Sequence, residues 1–376
     1  MNQDKINSFS LSTILFSISI AVLFGIINSY LLYTSNTSTP ISLFIGYIIS
    51  IILSLIPLKL FNTHQDKNLT KKTKIAYGKL SIIINIVYIL TSLTLYILIT
   101  YRLTSFISSQ YLIETNKIYI LIPTLILTYY IANKGTETTT RISQVSFFIC
   151  IIIFIFDALG LITHVNIDNL LPIISTSKTN ILKSALMFSV FFSVPFTYIN
   201  ITNKNKLSDK QNFNKYYHTM HVISFIMITS AIIITLGVYG IHLTNLFDYP
   251  LYTVLKKISL FNFIDSIENA SIMLWPLALI IAASIILLFI NNILDNTTKH
   301  TNTIKKIIPI ISFTISYLFL MNNTIIETFK YLIIPTTTVI IIQSTNLLTL
   351  LLLKIKKENW ISFFYFNDLP FPIKLL

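Results

Sequence analysis

The chain is poor in the residues that most often carry chemistry or covalent structure. It holds a single cysteine, Cys150, which excludes an intrachain disulfide and a cysteine metal cluster. Glycine occurs only seven times in 376 residues, and no Walker loop, nucleophile elbow or dinucleotide fingerprint is present. His218 and His221 have no third ligand near them in sequence, so no metal site is expected. These absences leave no enzymatic constellation, and the chain reads as neither an enzyme nor a cofactor protein. Charged residues make up 11% of the sequence against 54% hydrophobic, too few to cover a soluble domain. The first apolar stretch has no small-residue cleavage pattern after it and reads as a retained helix, not a signal peptide.

What is present is apolar and long. Ten stretches fall near residues 9–33, 40–62, 77–109, 117–133, 141–164, 180–201, 218–244, 268–294, 304–322 and 328–354. A helix needs roughly 20 residues to cross a hydrocarbon core, and most of these stretches suffice. The cations between them alternate in number. With the N-terminus cytoplasmic, the inner segments hold twenty Lys and Arg and the outer loops hold six, while Arg102 lies within a span. That bias predicts ten crossings with both termini inside. It also accounts for the +13 net charge: the cations face the anionic inner leaflet of the lipid bilayer, and nucleic acid is not the expected partner.

The fold class that follows is an all-α integral membrane protein forming a single transmembrane domain over residues 1–376. Its ten helices divide into repeats at 9–164 and 180–354, with a cytoplasmic tail at 355–376. Five helices per half places the second half in the membrane upside down, the inverted-repeat plan of many secondary transporters. In that plan the first and sixth helices are broken near the midplane. Gly25 marks the place in the first. Pro195 marks it in the sixth, because proline removes a backbone donor and clashes with the preceding turn; an ordinary proline kink is the alternative. The long outer loop at 245–267 mixes aromatics and charges at near-helical spacing, as an interfacial helix would.

Polar residues within the spans narrow the candidates. Asn85, Tyr88, Ser92, Tyr96 and Thr100 share one face of the third span, and that face should turn toward the bundle interior. It reads either as a wall of interhelical hydrogen bonds or as the lining of a substrate path. Asp157 in the fifth span is costly at membrane depth unless paired, protonated or hydrated, and Arg102, also near an outer end, is its candidate charge partner. Glu137 and Arg141 stand at i,i+4 and are expected to pair locally.

Several segments resemble those of a known family. Lys134-Gly135-Thr136-Glu137-Thr138-Thr139-Thr140-Arg141 is similar to the Gly-x-Glu-x-x-x-Arg segment before the fifth span of the spore germination permease family, the B subunits of Ger-type nutrient germinant receptors. Asn166 to Ile173, followed by Ile181 to Leu186, resembles that family's Asn-Leu-Leu-Pro linker into the sixth span. Tyr249-Pro250-Leu251, Phe263-Ile264-Asp265 and Leu274-Trp275 resemble its outer helix and the entry to its eighth span, and Arg102 fits an arginine typical of its third.

The resemblance implies an amino acid–polyamine–organocation transporter-like fold in the inner membrane of a bacterial endospore. It also implies a small nutrient ligand, often an amino acid, and partner A and C subunits. On that reading Phe24, Gly25 and Asn28 from the first span and Ser189, Phe192 and Ser193 from the sixth contact the ligand. Tyr96 and Thr100 line the third span and Trp275 closes one side. Two other functions stay open: a permease coupled to protons or sodium, and a structural membrane subunit without a ligand. The first break has one glycine and the sixth span has none, which implies breaks less open than those of amino acid transporters. A sensor needs only differential affinity for two states.

Overall fold

The computed structural model describes residues 5–257, 268–298, 301–321 and 333–367, and the side chains within these ranges except those of Phe24, Gly25, 268–274 and 357–367. Among the described residues all regular structure is helical, apart from one isolated parallel bridge between Ile6 and Leu207. The helices are α1 (Ser8–Val22), α2 (Asn28–Ser35), α3 (Thr39–Asn62), α4 (Leu69–Tyr77), α5 (Ser81–Gln110), α6 (Lys117–Asn133) and α7 (Thr136–Ile162). They continue with α8 (Lys178–Ser193), α9 (Phe213–Leu246), α10 (Pro250–Thr253), α11 (Glu268–Thr297), α12 (Thr301–Met321) and α13 (Ile333–Asn367).

Eight helical segments are long and apolar enough to cross a membrane: Asn28–Asn62, Leu69–Gln110, Thr136–Ile162, Lys178–Ile201, Phe213–Leu246, Trp275–Thr297, Thr301–Met321 and Ile333–Lys356. Two apolar helices are shorter, Ser8–Val22 and Lys117–Asn133. The first is short because its helix type changes at residue 23. A π-helical segment, Leu23–Ile27, joins α1 to α2. The second, at 17 residues, spans about 25 Å at 1.5 Å per residue.

Local chemistry sets the boundaries. Asn7, Asn116 and Ser177 accept backbone hydrogen bonds from the first turns of α1, α6 and α8, satisfying donors that a helix start leaves free. Gly78 stops α4 at φ +59° and Gly135 precedes α7 at φ +88°, left-handed values that a side chain would strain. The expected interfacial helix in 245–267 is present in part, as α10 and a 3₁₀ turn at Val254–Lys257; residues 258–267 lie outside the described range.

Burial separates a centre from a rim. Fourteen of the fifteen residues of α1 are buried. So is 83% of the apolar window in Lys178–Ile201 and in Trp275–Thr297, against 22% in Thr136–Ile162 and Thr301–Met321. The central α1 tolerates six Ser and Thr residues because several hydroxyls bond back along their own helix, Ser12 to the Ser8 carbonyl at 2.9 Å and Thr13 to that of Ser10 at 2.8 Å. The rim helices α5 and α7 present exposed Ile82, Ile86, Val145 and Ile152, as lipid contact requires. Where α3 crosses α8, Gly46 lies so close that a Cβ there would sit 2.5 Å from the Ala185 carbonyl oxygen, the small-residue contact typical of packed membrane helices.

One end of the bundle is sealed by backbone. The Ile6 amide donates to the Lys206 carbonyl at 2.9 Å, and the Ser208 amide returns a bond to Ile6 at 3.0 Å. The Ser8 amide donates to Asp209 Oδ1 at 2.9 Å. The Asn205 amide reaches the Gln65 carbonyl at 3.1 Å, and Lys204 Nζ reaches Asn62 Oδ1 at 2.7 Å. Beneath them the buried Lys72 Nζ donates to the Leu60 and Phe61 carbonyls at 2.7 and 3.1 Å, closing the C-terminal end of α3.

Candidate functional site

The two breaks differ in kind. At the first, five residues adopt π-helical pairing, and the Asn28 amide bonds five residues back to the Leu23 carbonyl. Single π turns inside α-helices widen the backbone and occur frequently at functional sites. At the second, Ser193 ends α8 and the chain continues as a 3₁₀ helix, Val194–Ile201. Eight residues is long for 3₁₀ geometry. Pro195 has no N–H to give an α-turn, and the helix tightens where the first one loosens.

A cavity of about 130 Å³ borders the first break. Ile20 lies one turn before the π segment and Asn28 directly after it, and both line the space. Helix α7 contributes Cys150 and Asp157, and α11 contributes Trp275. The segment from Asp248 to Leu255 lies across it as a cover. Three side-chain bonds hold that cover: Tyr249 Oη to Ser105 Oγ at 3.2 Å, Tyr239 Oη to the Thr253 carbonyl at 2.9 Å, and Ser29 Oγ to the Asp248 carbonyl at 3.4 Å. Phe106 stands at the centre of an aromatic cluster, edge-on to Trp275 at 4.2 Å, to Tyr249 at 5.1 Å and to Tyr252 at 5.2 Å between ring centroids.

Two of the buried polar atoms that lack partners belong to the lining of this cavity. Asn28 is 4% exposed, and its side-chain oxygen has no hydrogen-bond partner. The buried indole N–H of Trp275 has none either. A buried donor or acceptor without a partner costs about 1–3 kcal/mol, a cost that a bound molecule removes. An engineered apolar cavity of about 150 Å³ holds benzene, so this space has room for a ligand of comparable size.

The sequence pattern of a family described as "Spore germination protein" matches residues 5–328. The chain belongs to this family of spore germination proteins. Comparison with curated proteins gives no match.

In this germination protein the residues expected from the sequence to surround a ligand divide into two groups. Asn28 and Trp275 meet at the cavity, together with Asp157, which the sequence marked as a charge partner. Gly25 lies within the π segment that borders it, with Phe24 beside it in the backbone. Tyr96, Thr100, Ser189, Phe192 and Ser193 lie in the packed core instead. Tyr96 Oη bonds Thr128 Oγ1 at 2.8 Å, and Thr100 Oγ1 faces Ser316 Oγ at 3.4 Å. Ser189 bonds back to the Leu186 carbonyl at 2.8 Å. Ser193 Oγ accepts from Gln343 Nε2 at 2.9 Å. Phe192 stacks on Phe188 and on His221, at 5.0 and 4.8 Å, and His221 Nε2 meets Ser50 Oγ at 3.2 Å.

The whole polar face of α5 is buried as its spacing predicts, and each member has a partner on another helix. Asn85 accepts from Thr73 at 2.9 Å, Tyr88 donates to Asn346 Oδ1 at 2.8 Å, and Ser92 accepts from Tyr198 at 3.5 Å. Of the two readings of that face, interhelical bonding describes this structure. Glu137 and Arg141 form the expected local pair at 2.5 Å. Asp295 also pairs with Lys305. Phe106, Tyr252 and Asp248 were not singled out in sequence. Phe106 sits in an apolar run like any lipid-facing residue, and only Tyr249-Pro250, already notable in the outer loop, pointed to the cover.

Proposed function

We propose that this chain is the ligand-binding B-type subunit of a spore nutrient germinant receptor. It would have ten crossings arranged as an inverted five-plus-five repeat, both termini cytoplasmic, in the inner membrane of the endospore. In that orientation the cavity lies at the outer side and the backbone-sealed end at the inner side. Membership of the germination family supports the setting. The observation that carries the binding role is the cavity beside the π turn, with two buried polar atoms lacking partners and a cover held by three side-chain bonds.

In this reading a small nutrient contacts Asn28 and Trp275, and the break at Phe24 and Gly25 responds. Tyr96, Thr100, Ser189, Phe192 and Ser193 form the packed core through which the shift reaches A and C subunits. Binding shifts the balance between two arrangements by its difference in affinity for them; no catalytic step is involved. The test is Asn28→Leu, scored for spore germination across a nutrient panel and for amino acid uptake in growing cells. The expected result is a dose–response displaced roughly tenfold or more toward higher nutrient, with normal protein level and normal uptake. An unchanged dose–response at normal protein level overturns the site. Normal germination with defective uptake replaces the receptor with a permease.

A further inference from the structure

Three lysines gather where the surface of the bundle turns apolar. On α4 the lysines divide by face. Lys72 is buried and donates to the Leu60 and Phe61 carbonyls, while Lys71 and Lys74, three residues apart on the other side, are exposed. Gly78 then ends the helix at φ +59°, and Lys79 follows, also exposed. Three residues later the exposed side chains change character: Ile82, Ile83, Ile86 and Leu90 run down one side of α5 at 47–58% exposure. Helix α13 makes the same change beside it. Lys354 and Lys356 are exposed, and so are Leu347, Leu348 and Leu351 before them. Two bonds set the level of one helix against the other: Lys356 Nζ donates to the Ile75 carbonyl at 2.6 Å, and Tyr77 Oη meets Thr349 Oγ1 at 3.3 Å.

We propose that this corner binds one anionic phospholipid, its phosphate held by Lys71, Lys74 and Lys79 and its acyl chains lying along Ile82, Ile86 and Leu90. Lysine clusters at a membrane boundary draw anionic lipid, and flexible lysine stems let the charged heads stay at headgroup level while the stems cover apolar surface. The lysines alone suit any phosphate; the aliphatic row directly beneath them is what suits a lipid. Asp66, exposed before the first turn of α4, is the acidic residue nearest to the three lysines in sequence, and they outnumber it. A bias of cations toward one side orients the chain in the membrane without holding any one lipid in place, so a bound lipid is a further property of this corner. None of its residues lines the cavity beside the π turn, and its test is independent of the nutrient.

The test uses the purified full chain in detergent, supplied with phosphatidylglycerol or phosphatidylcholine of identical acyl chains and read by native mass spectrometry. Phosphatidylglycerol should be retained roughly tenfold more tightly. Lys71→Gln, Lys74→Gln and Lys79→Gln together should bring the two lipids within about twofold of each other. Removing three exposed lysines elsewhere, with Lys134→Gln, Lys206→Gln and Lys215→Gln, should leave the preference in place. Equal retention of the two lipids by the unaltered chain overturns the site, as does a preference that survives the first triple variant. Equal loss in both triple variants also overturns it, leaving a general attraction of charge. Glycerol 3-phosphate that displaces the lipid at equal concentration overturns the lipid as occupant. Should the first triple variant yield too little protein, Lys74→Glu alone reads the same preference.

Discussion

At one end of the bundle, backbone meets backbone: Ile6 with Lys206 and Ser208, and Gln65 with Asn205, exchange amide and carbonyl bonds of 2.9 to 3.1 Å. At the other end, side chains surround space, and the cover from Asp248 to Leu255 hangs from Tyr249, Tyr239 and Ser29. Each bond contributes about 1 kcal/mol at either end, but the consequences differ. Backbone bonds between separate segments must break together, whereas the cover can release one side chain at a time. The free energy of local opening is therefore lower at the cavity end. The two helix breaks follow the same division. The π turn, with its loosened backbone, borders the cavity, and the 3₁₀ helix at Val194–Ile201 leads into the sealed end, where Asn292 Nδ2 donates to the Ile201 carbonyl at 2.8 Å.

The largest effect should come from the sealed end. Lys72→Ala leaves the Leu60 and Phe61 carbonyls without their buried donor, and the loss should be about 2–3 kcal/mol, read as a lower thermal midpoint in detergent. Ligand affinity should stay unchanged if the two ends are independent. Asp209→Ala removes the acceptor of the Ser8 amide and should cost about 1 kcal/mol. Hydrogen exchange should then rise over residues 5–12 and stay constant over 248–255; a rise at both would merge the ends into one cooperative unit. Tyr249→Phe removes the bond to Ser105 and should cost no more than about 0.5–1 kcal/mol. Its signature is faster ligand dissociation, measured in stopped flow, with the thermal midpoint almost unmoved.

Much of this architecture was legible in the sequence. Helices occupy the ten apolar stretches wherever the residues are described, the α5 polar face turns inward, and the Glu137–Arg141 pair forms. These features depend on one helix or on neighbours along it. Of the residues singled out as ligand contacts, Asn28 and Trp275 line the cavity, as does Asp157, singled out as a charge partner. The hydroxyls of Ser193, Thr100 and Tyr96 meet Gln343, Ser316 and Thr128. Those partners are distant in sequence, and no spacing rule links them. Nor does a sequence distinguish Phe106 facing a cavity from a phenylalanine facing lipid, since both satisfy the same apolar pattern.

Cys150 is the only cysteine in the chain and lines the cavity while remaining 3% exposed. It therefore reports on the central claim without any substitution. Intact protein in nanodiscs is treated with methyl methanethiosulfonate, and Cys150 modification is followed by mass with and without the nutrient that triggers germination. The account predicts slow labelling of the folded protein through the cavity, and marked protection when the nutrient is bound. Labelling at the same rate with the nutrient present, or labelling only after unfolding, would contradict it.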